Sequence, residues 1–253
     1  MKMDMERTGF RIEICANSVE SCIAAEEGGA DRVELCASIP EGGTTPSYGT
    51  ISLARDSIKI GLNVIIRPRG GDFLYAPREL DEIERDIEMC RRIGVDGLVF
   101  GVLCPDGSVD EAAMSRLMNA SGGLPVTFHR AFDHAADPFA AMEAVISAGC
   151  SRILTSGQQP SARQGIPLLK ELVSRSAGRI SIMPGCGVRE ENIAEIARET
   201  GAREFHFSAR ECVESGMEFR NGQVFMGAEQ NEFVRDVTTA RRVKATIREL
   251  LEM

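Results

Sequence analysis

The stretch that decides the fold is FRIEICANSVESCIAAEEGGADRVELCASIPEGGTTP, residues 10–46. It holds two short alternating segments, RIEIC and RVELC, on either side of a helix-like run. Side chains two apart on a strand share a face. Ile12 and Ile14 therefore share one face of the first segment and Arg11, Glu13 and Cys15 the other. In the second, Val33 and Leu35 oppose Arg32, Glu34 and Cys36. Between them, Ser18–Gly28 begins with a capping residue (Asn17 or Ser18), carries an apolar stripe through Val19, Cys22 and Ile23, and ends in Gly-Gly. This reads as one βαβ unit with parallel strands. Glu13/Cys15 and Glu34/Cys36 are then expected side by side at one end of a sheet.

The same rhythm continues to the end of the chain. Strands are predicted over Asn63–Arg67, Gly97–Phe100, Pro125–His129, Arg152–Thr155, Arg179–Met183 and Glu204–Ser208. Helices are predicted over Ser47–Ser57, Pro77–Ile93, Asp110–Ala120, Asp137–Ala148, Pro160–Ser174, Glu190–Thr200 and Asp236–Leu251. Eight strand–helix pairs predict an α/β fold, a (β/α)8 TIM barrel, as one domain over residues 1–253. A doubly wound open sheet is the competitor, and no GxGxxG follows the first strand to support it. GGADRVEL, GVDGLVF, AGCSRILT and TGAREFHF enter every second strand through Gly. That echo fits a barrel of four similar quarters or a shared need for a helix-capping Gly. One long connection, Arg210–Arg235, breaks the pattern after the eighth strand. Its MEFRNGQVFMG segment reads as a hairpin around Asn221-Gly222.

Composition narrows the function. The 253 residues are 43% apolar and 26% charged, enough for a sizeable core. A net charge of −9 argues against nucleic acid and anionic membranes as partners. No apolar run approaches the roughly 20 residues of a membrane span. MKMDMERTG lacks the apolar region of a secretory signal. Eight scattered Cys without CxxC fit free thiols in a reducing, cytoplasmic setting.

If the apolar strand faces meet the helices, the opposite faces fill the barrel. Those carry Arg11, Glu13, Glu34, Arg67, Thr127, His129, Thr155, Glu204, His206 and Ser208, where an ordinary barrel carries Val, Ile and Leu. Buried charges must pair, so a structural network in which Arg11 and Arg67 neutralise the acids is one reading. A functional site at the C-terminal strand ends is the other. There Glu34, His129 and His206, with Glu13 behind them, are candidate acid–base groups. Arg67 and Arg69 in RPRGGD suit a carboxylate or phosphate, with Asp72 as a local ion-pair partner. Gly185 and Gly187 after the seventh strand, with Ser208 and Arg210 after the eighth, occupy the usual phosphate position of barrels. Asp133 pairs with Arg130 and can orient His129. Thr155 and Ser156 offer hydroxyls to the same pocket. Cys15 and Cys36, at the ends of neighbouring strands about 4.8 Å apart, suit a linear two-thiolate arrangement around a soft ion. Cys22, Cys90 and Cys150 fall in helical segments and read as packing residues. Cys104 and Cys212 lie in loops as accessory thiols.

Read together, EIC, GGADRVELC, EGGTTPS, IRPRGGDFLY, DGLVFG, PVTFHRAFD, DP, ILTSG, MPGCGV, EFHFSAR and SGMEFRN resemble the CutC family, which is named for copper homeostasis. The resemblance spans nearly the whole chain. It implies a TIM-type barrel, a cytoplasmic location, homo-oligomers and Cu(I) bound by the thiols of Cys15 and Cys36. Cys186 departs from the expected pattern, in a turn usually richer in glycine. Three functions follow. The first is a copper-homeostasis protein. The second is an enzyme working on a small anionic or phosphorylated metabolite with Glu and His acid–base groups. The third is a scaffold, for which a polar interior has no use.

Overall fold

The structure, a computed structural model, describes residues 9–224, 226 and 232–253. Eight parallel strands alternate with helices. The strands are β1 (Arg11–Ala16), β2 (Arg32–Leu35), β3 (Gly61–Ile65), β4 (Gly97–Phe100), β5 (Val126–Phe128), β6 (Arg152–Thr155), β7 (Ser181–Pro184) and β8 (Glu204–Phe207). The helices are α1 (Val19–Gly28), α2 (Tyr48–Ser57), α3 (Pro77–Ile93), α4 (Glu111–Ser121), α5 (Pro138–Ser147), α6 (Ile166–Ser176), α7 (Ile193–Thr200) and α8 (Ala240–Leu251). The hydrogen-bonded order runs β7-β6-β5-β4-β3-β2-β1-β8. β7 and β8 lie against each other without a ladder, so the ring is a nearly closed TIM-type barrel. No helix among the described residues is long and apolar enough to cross a membrane.

Strand alternation splits the barrel into two chemistries. The outward face of every strand joins one apolar core with the helices: Ile12 and Ile14, Val33 and Leu35, Leu62 and Val64, Leu98 and Phe100, Phe128, Ile153, Ile182, Phe205 and Phe207. Removing an Ile or Phe side chain from water stabilises by ~1.5–3 kcal/mol. This shell therefore offsets the unfavourable burial of polar groups inside it.

The inward face builds in layers, with alternate strands contributing to alternate layers. The lowest takes Arg32, Arg152 and Glu204 from β2, β6 and β8. Above it come Glu13, Asn63, Thr127 and Met183 from the odd strands. The register supports this stacking: Glu13 lies beside Arg32 on one side and His206 on the other. Glu34, Val99, Leu154 and His206 follow, and Cys15, Ile65 and His129 reach the mouth. A small apolar cluster of Cys36, Ile65 and Val99, together with Met183 and Leu154, interrupts the interior polarity.

Several sequence expectations shift. Arg11 is exposed, because it opens β1 at the solvent-facing bottom of the barrel. Thr155 points away from the interior. Arg152 and Leu154 hold the inward positions of β6, and alternation turns Thr155 the other way. The final helix starts at Ala240, capped by the Thr239 side chain, since Asp236 belongs to a strand. The long connection forms an antiparallel pair, β9 (Arg210–Glu214) with β10 (Val234–Thr238). The expected hairpin is thus wider than MEFRNGQVFMG, and Phe225 and Gly227 of that segment lie outside the described residues, as does MKMDMERT of the N-terminal segment. The arm is fastened at its base. Thr238 Oγ1 donates to Ser208 O (2.9 Å), Asn17 Nδ2 to Asp236 O (2.9 Å), and Arg242 Nη1 to Arg210 O (2.9 Å). The glycines of the fourfold echo, Gly29, Gly94, Gly149 and Gly201, all take positive φ where a helix ends, which is the capping explanation of that pattern.

Candidate functional site

The C-terminal ends of the strands surround a cavity of about 530 Å³. The thiols of Cys15 and Cys36 stand in its wall with Sγ atoms 3.9 Å apart. β1 and β2 are neighbours, but their register puts Cys15 level with Glu34. Cys36 therefore stands two residues further up and leans back toward Cys15. Arg210 Nη2, from the start of the arm, donates to Cys15 Sγ at 3.3 Å. Cys15, Glu34 and Cys36 present donor atoms all within 4.8 Å of one another, and so do Glu13, Glu34 and His206.

Beneath the thiols lies an ion network. His206 Nδ1 is 2.8 Å from Glu13 Oε1, and its Nε2 lies 3.6 Å from Glu34 Oε2. Glu13 Oε2 also accepts from Arg32 Nε (2.6 Å) and Asn63 Nδ2 (2.9 Å). Arg32 continues to Glu204 Oε2 (2.5 Å), which Arg152 Nε reaches from β6 at 3.2 Å. The neutralising cations are thus Arg32 and Arg152, in place of Arg11 and Arg67. Alternation placed Arg32 on the polar face, but nothing local in the sequence links Arg152 to Glu204.

The environment sets the charge states. Burial alone would push Glu13 up, yet Arg32 and the His206 contact hold it well below the usual carboxylate range. Burial pushes Glu34 up; His206 opposes this, and the charges of Cys15 and Glu13 reinforce it, leaving the carboxyl at about 8. His206 is driven well above the usual imidazole range: burial works against the cation, but hydrogen bonds to Cys15 and Glu13 and the charge of Glu34 outweigh it. The Cys36 thiol, opposed by burial and helped by His206 and Arg210, holds Cys15 well below the ordinary thiol range, and Cys36 rises well above it in return. The pair thus reads as a thiolate accepting from a thiol. Burial and the Arg67 charge depress His129 to about 3, so its ring is neutral.

The remaining candidates divide into two groups. His129, Arg67, Gly187, Ser208 and Arg210 line the cavity. Arg67 clamps two loops: Nη1 donates to the carbonyls of Glu41 (2.8 Å) and Gly43 (2.9 Å), and Nη2 to Gly71 (2.6 Å). Gly185 packs under the wall, where a Cβ would sit 2.4 Å from Leu154 Cδ1. Arg69 turns away from the mouth, to Glu79 (2.5 Å) and Asp72 (3.1 Å), and is not an anion ligand there. Asp133 does not orient His129. Its carboxylate accepts from Thr155 Oγ1 (2.5 Å), Ser156 Oγ (3.0 Å) and Arg130 Nε (2.7 Å), which ties Thr155 and Ser156 into a loop-holding network beside the cavity. Cys186 also faces the cavity, at φ 72° with Sγ donating to Pro160 O (3.2 Å). Cys22, Cys90 and Cys150 are buried in helices or at their ends, and burial lifts each to about 12, as inert packing residues. Arg189, Arg242 and Asp236 complete the wall without any earlier signal, because they come from a loop, from α8 and from β10, distant in sequence from the thiols.

Comparison with known proteins adds a lineage. A family model described as the CutC family matches residues 10–211. A Bacteroides fragilis protein named for CutC is 60% identical over 241 residues, covering 94% of this chain and 96% of its own length. The human copper homeostasis protein cutC homolog is 48% identical over 248 residues, covering 96% and 91%. A crystal structure of CutC from Streptococcus agalactiae superposes with a TM-score of 0.76 at 36% identity, covering 79% of this chain and 98% of that one.

Proposed function

Since this chain belongs to the CutC family, we propose that it serves copper homeostasis in the cytoplasm by binding Cu(I) through Cys15 and Cys36. The observation that carries this reading is the 3.9 Å between the two sulfurs. A disulfide needs about 2.05 Å, which the pair does not approach. Two metal–thiolate bonds of roughly 2.3 Å each bridge anything below about 4.6 Å. At that bond length, 3.9 Å subtends an angle of about 120° at the ion. An ion held at this separation would have a bent and not a linear arrangement, with room for a third ligand. Thiolates are the preferred donors of Cu(I), and Arg210 and His206 supply positive charge beside the pair.

The enzyme reading has the 3.6 Å approach of Glu34 and His206 and the cavity around them, but the named relatives point to copper. Homo-oligomers belong to the same proposal. Met217, Phe219 and Val224 on the arm are 60%, 77% and 54% exposed, a surface suited to a second copy of the chain.

The test is an anaerobic Cu(I) titration against a chromophoric chelator. The expected outcome is one ion per chain, with affinity falling at least 100-fold in the Cys15→Ser/Cys36→Ser variant. An unchanged affinity in that variant would sink the proposal.

A further inference from the structure

The cavity has more room and more positive charge than a bare copper ion uses. At about 530 Å³ it falls within the roughly 300–1,000 Å³ usual for small-molecule sites. Its wall carries five arginines, Arg67, Arg130, Arg189, Arg210 and Arg242, against two carboxylates, Glu34 and Asp236. This concentration occurs in a chain whose net charge is −9, so the arginines are gathered at the mouth. Arg130 is balanced by Asp133, and Arg242 approaches Glu190 at 3.5 Å. Among the described residues, Arg67, Arg189 and Arg210 have no carboxylate partner.

Polar atoms are also left waiting. Arg67 Nε, Arg210 Nε and His129 Nε2 are buried with no hydrogen-bond partner among the described residues. Arg67 and His129 are each 4% exposed, and both side chains line the cavity. His129 Nδ1 accepts from Ala131 N–H (3.3 Å), which leaves Nε2 as the ring's donor. Buried donors without acceptors are uncommon and point to a missing partner. Here the partner would be an acceptor-rich, negatively charged group.

A cationic mouth repels a free cation and draws in an anion. A Cu(I) ion held by two acidic thiolates is an anion. An ion bent at the thiol pair would have a further coordination position, and the Glu34 carboxylate, within 4.8 Å of both sulfurs, is a hard oxygen that suits a soft ion poorly.

Building on the copper reading above, we infer that the cavity receives copper as its complex with a small thiol bearing carboxylates, which stays bound as the third sulfur ligand with its carboxylates on Arg67, Arg189, Arg210 and His129. The exchange balances. A bis-thiolate copper(I) anion meets the Cys15 thiolate and the Cys36 thiol, two Cu–S bonds form to Cys15 and Cys36, and one Cu–S bond to the carrier breaks. The single thiol proton, from Cys36, leaves on the released carrier thiol. Copper stays Cu(I), and nothing is oxidised.

The experiment loads reduced, metal-free protein anaerobically with Cu(I) bound by mercaptosuccinate, which has two carboxylates, or by 2-mercaptoethanol, which has none. Succinate serves as the control without a thiol. Native mass spectrometry counts copper and retained thiol, and X-ray absorption counts sulfur neighbours. The expected species carries one copper, one mercaptosuccinate and three sulfurs at the metal, with mercaptosuccinate retained at least tenfold more tightly than 2-mercaptoethanol. The exposed Arg189→Gln should erode that preference severalfold while copper still binds. Copper bound by two sulfurs with no retained thiol, or equal retention of both thiols, overturns this inference alone and leaves the copper reading standing. Failure to take copper in any form overturns both.

Discussion

Glu34 sits under the thiol pair, 3% exposed, facing His206, Cys15, Cys36 and Glu13. Its carboxyl is lifted by burial from 4.5 to about 8. A raised folded-state value means that the native protein holds a proton the unfolded chain has released. That contribution to stability is complete below pH ~4.5 and disappears as pH rises through ~8. Glu13, a strand away, behaves in the opposite sense. It is held ionised, so its contribution is present above ~4.5 and is lost only as strong acid protonates it. Glu34→Gln is therefore expected to flatten the decline in unfolding free energy between pH 4.5 and 8, measured by urea titration across that range. A variant declining as steeply as the parent would assign the slope to another group. The two acids share a residue type and an inward position on adjacent strands; what separates their chemistry is the Arg32 guanidinium and the close His206 contact on Glu13, against the nearby negative charges of Cys15 and Glu13 on Glu34.

At the scale of elements, loops aim the site and strands support it. The loop from β6 to α6 folds tightly onto its own strand end. A Cβ on Gly165 would stand 1.8 Å from Ser156 O, and on Gly157, at φ 70°, 2.6 Å from Gly165 O. Gly165→Ala should cost well over ~1 kcal/mol, because the obstruction is backbone and cannot swing aside; thermal unfolding reads it directly. This tight loop also explains why α6 begins at Ile166 and not at Pro160. The β9–β10 arm is the other element with its own consequence. Exposed Met217 and Phe219 have no core to join. Met217→Ser/Phe219→Ser is expected to lower the mass seen by light scattering without changing the melting temperature of the barrel. An unchanged mass would remove the arm from the assembly.

For the molecule as a whole, the polar floor does the work that a ladder does elsewhere. β7 and β8 have no ladder between them, but Arg32 from β2 reaches Glu13 of β1, Glu204 of β8 and Met183 Sδ of β7 (3.2 Å). Removing one member of a buried ion pair costs about 3–5 kcal/mol. Arg32→Met is accordingly expected to lose at least that much in urea denaturation, more than a methionine's packing can restore. A loss under ~1 kcal/mol would show that the floor is not needed for closure. The sequence by itself determined the barrel, since strand and helix periods and the alternation of RIEIC and RVELC are local properties that a chain displays without folding. It also determined that the interior is charged and that Cys15 and Cys36 end adjacent strands. Which cation meets which acid was decided only in three dimensions. Arg152 meets Glu204 across 52 residues, Thr155 turns outward by strand parity, Asp133 chooses Thr155 and Ser156 over His129, and α8 brings Arg242 to the mouth. The reason is physical: a buried charge is satisfied by whichever partner closure brings within ~3 Å, and closure joins residues whose separation along the chain carries no trace of it.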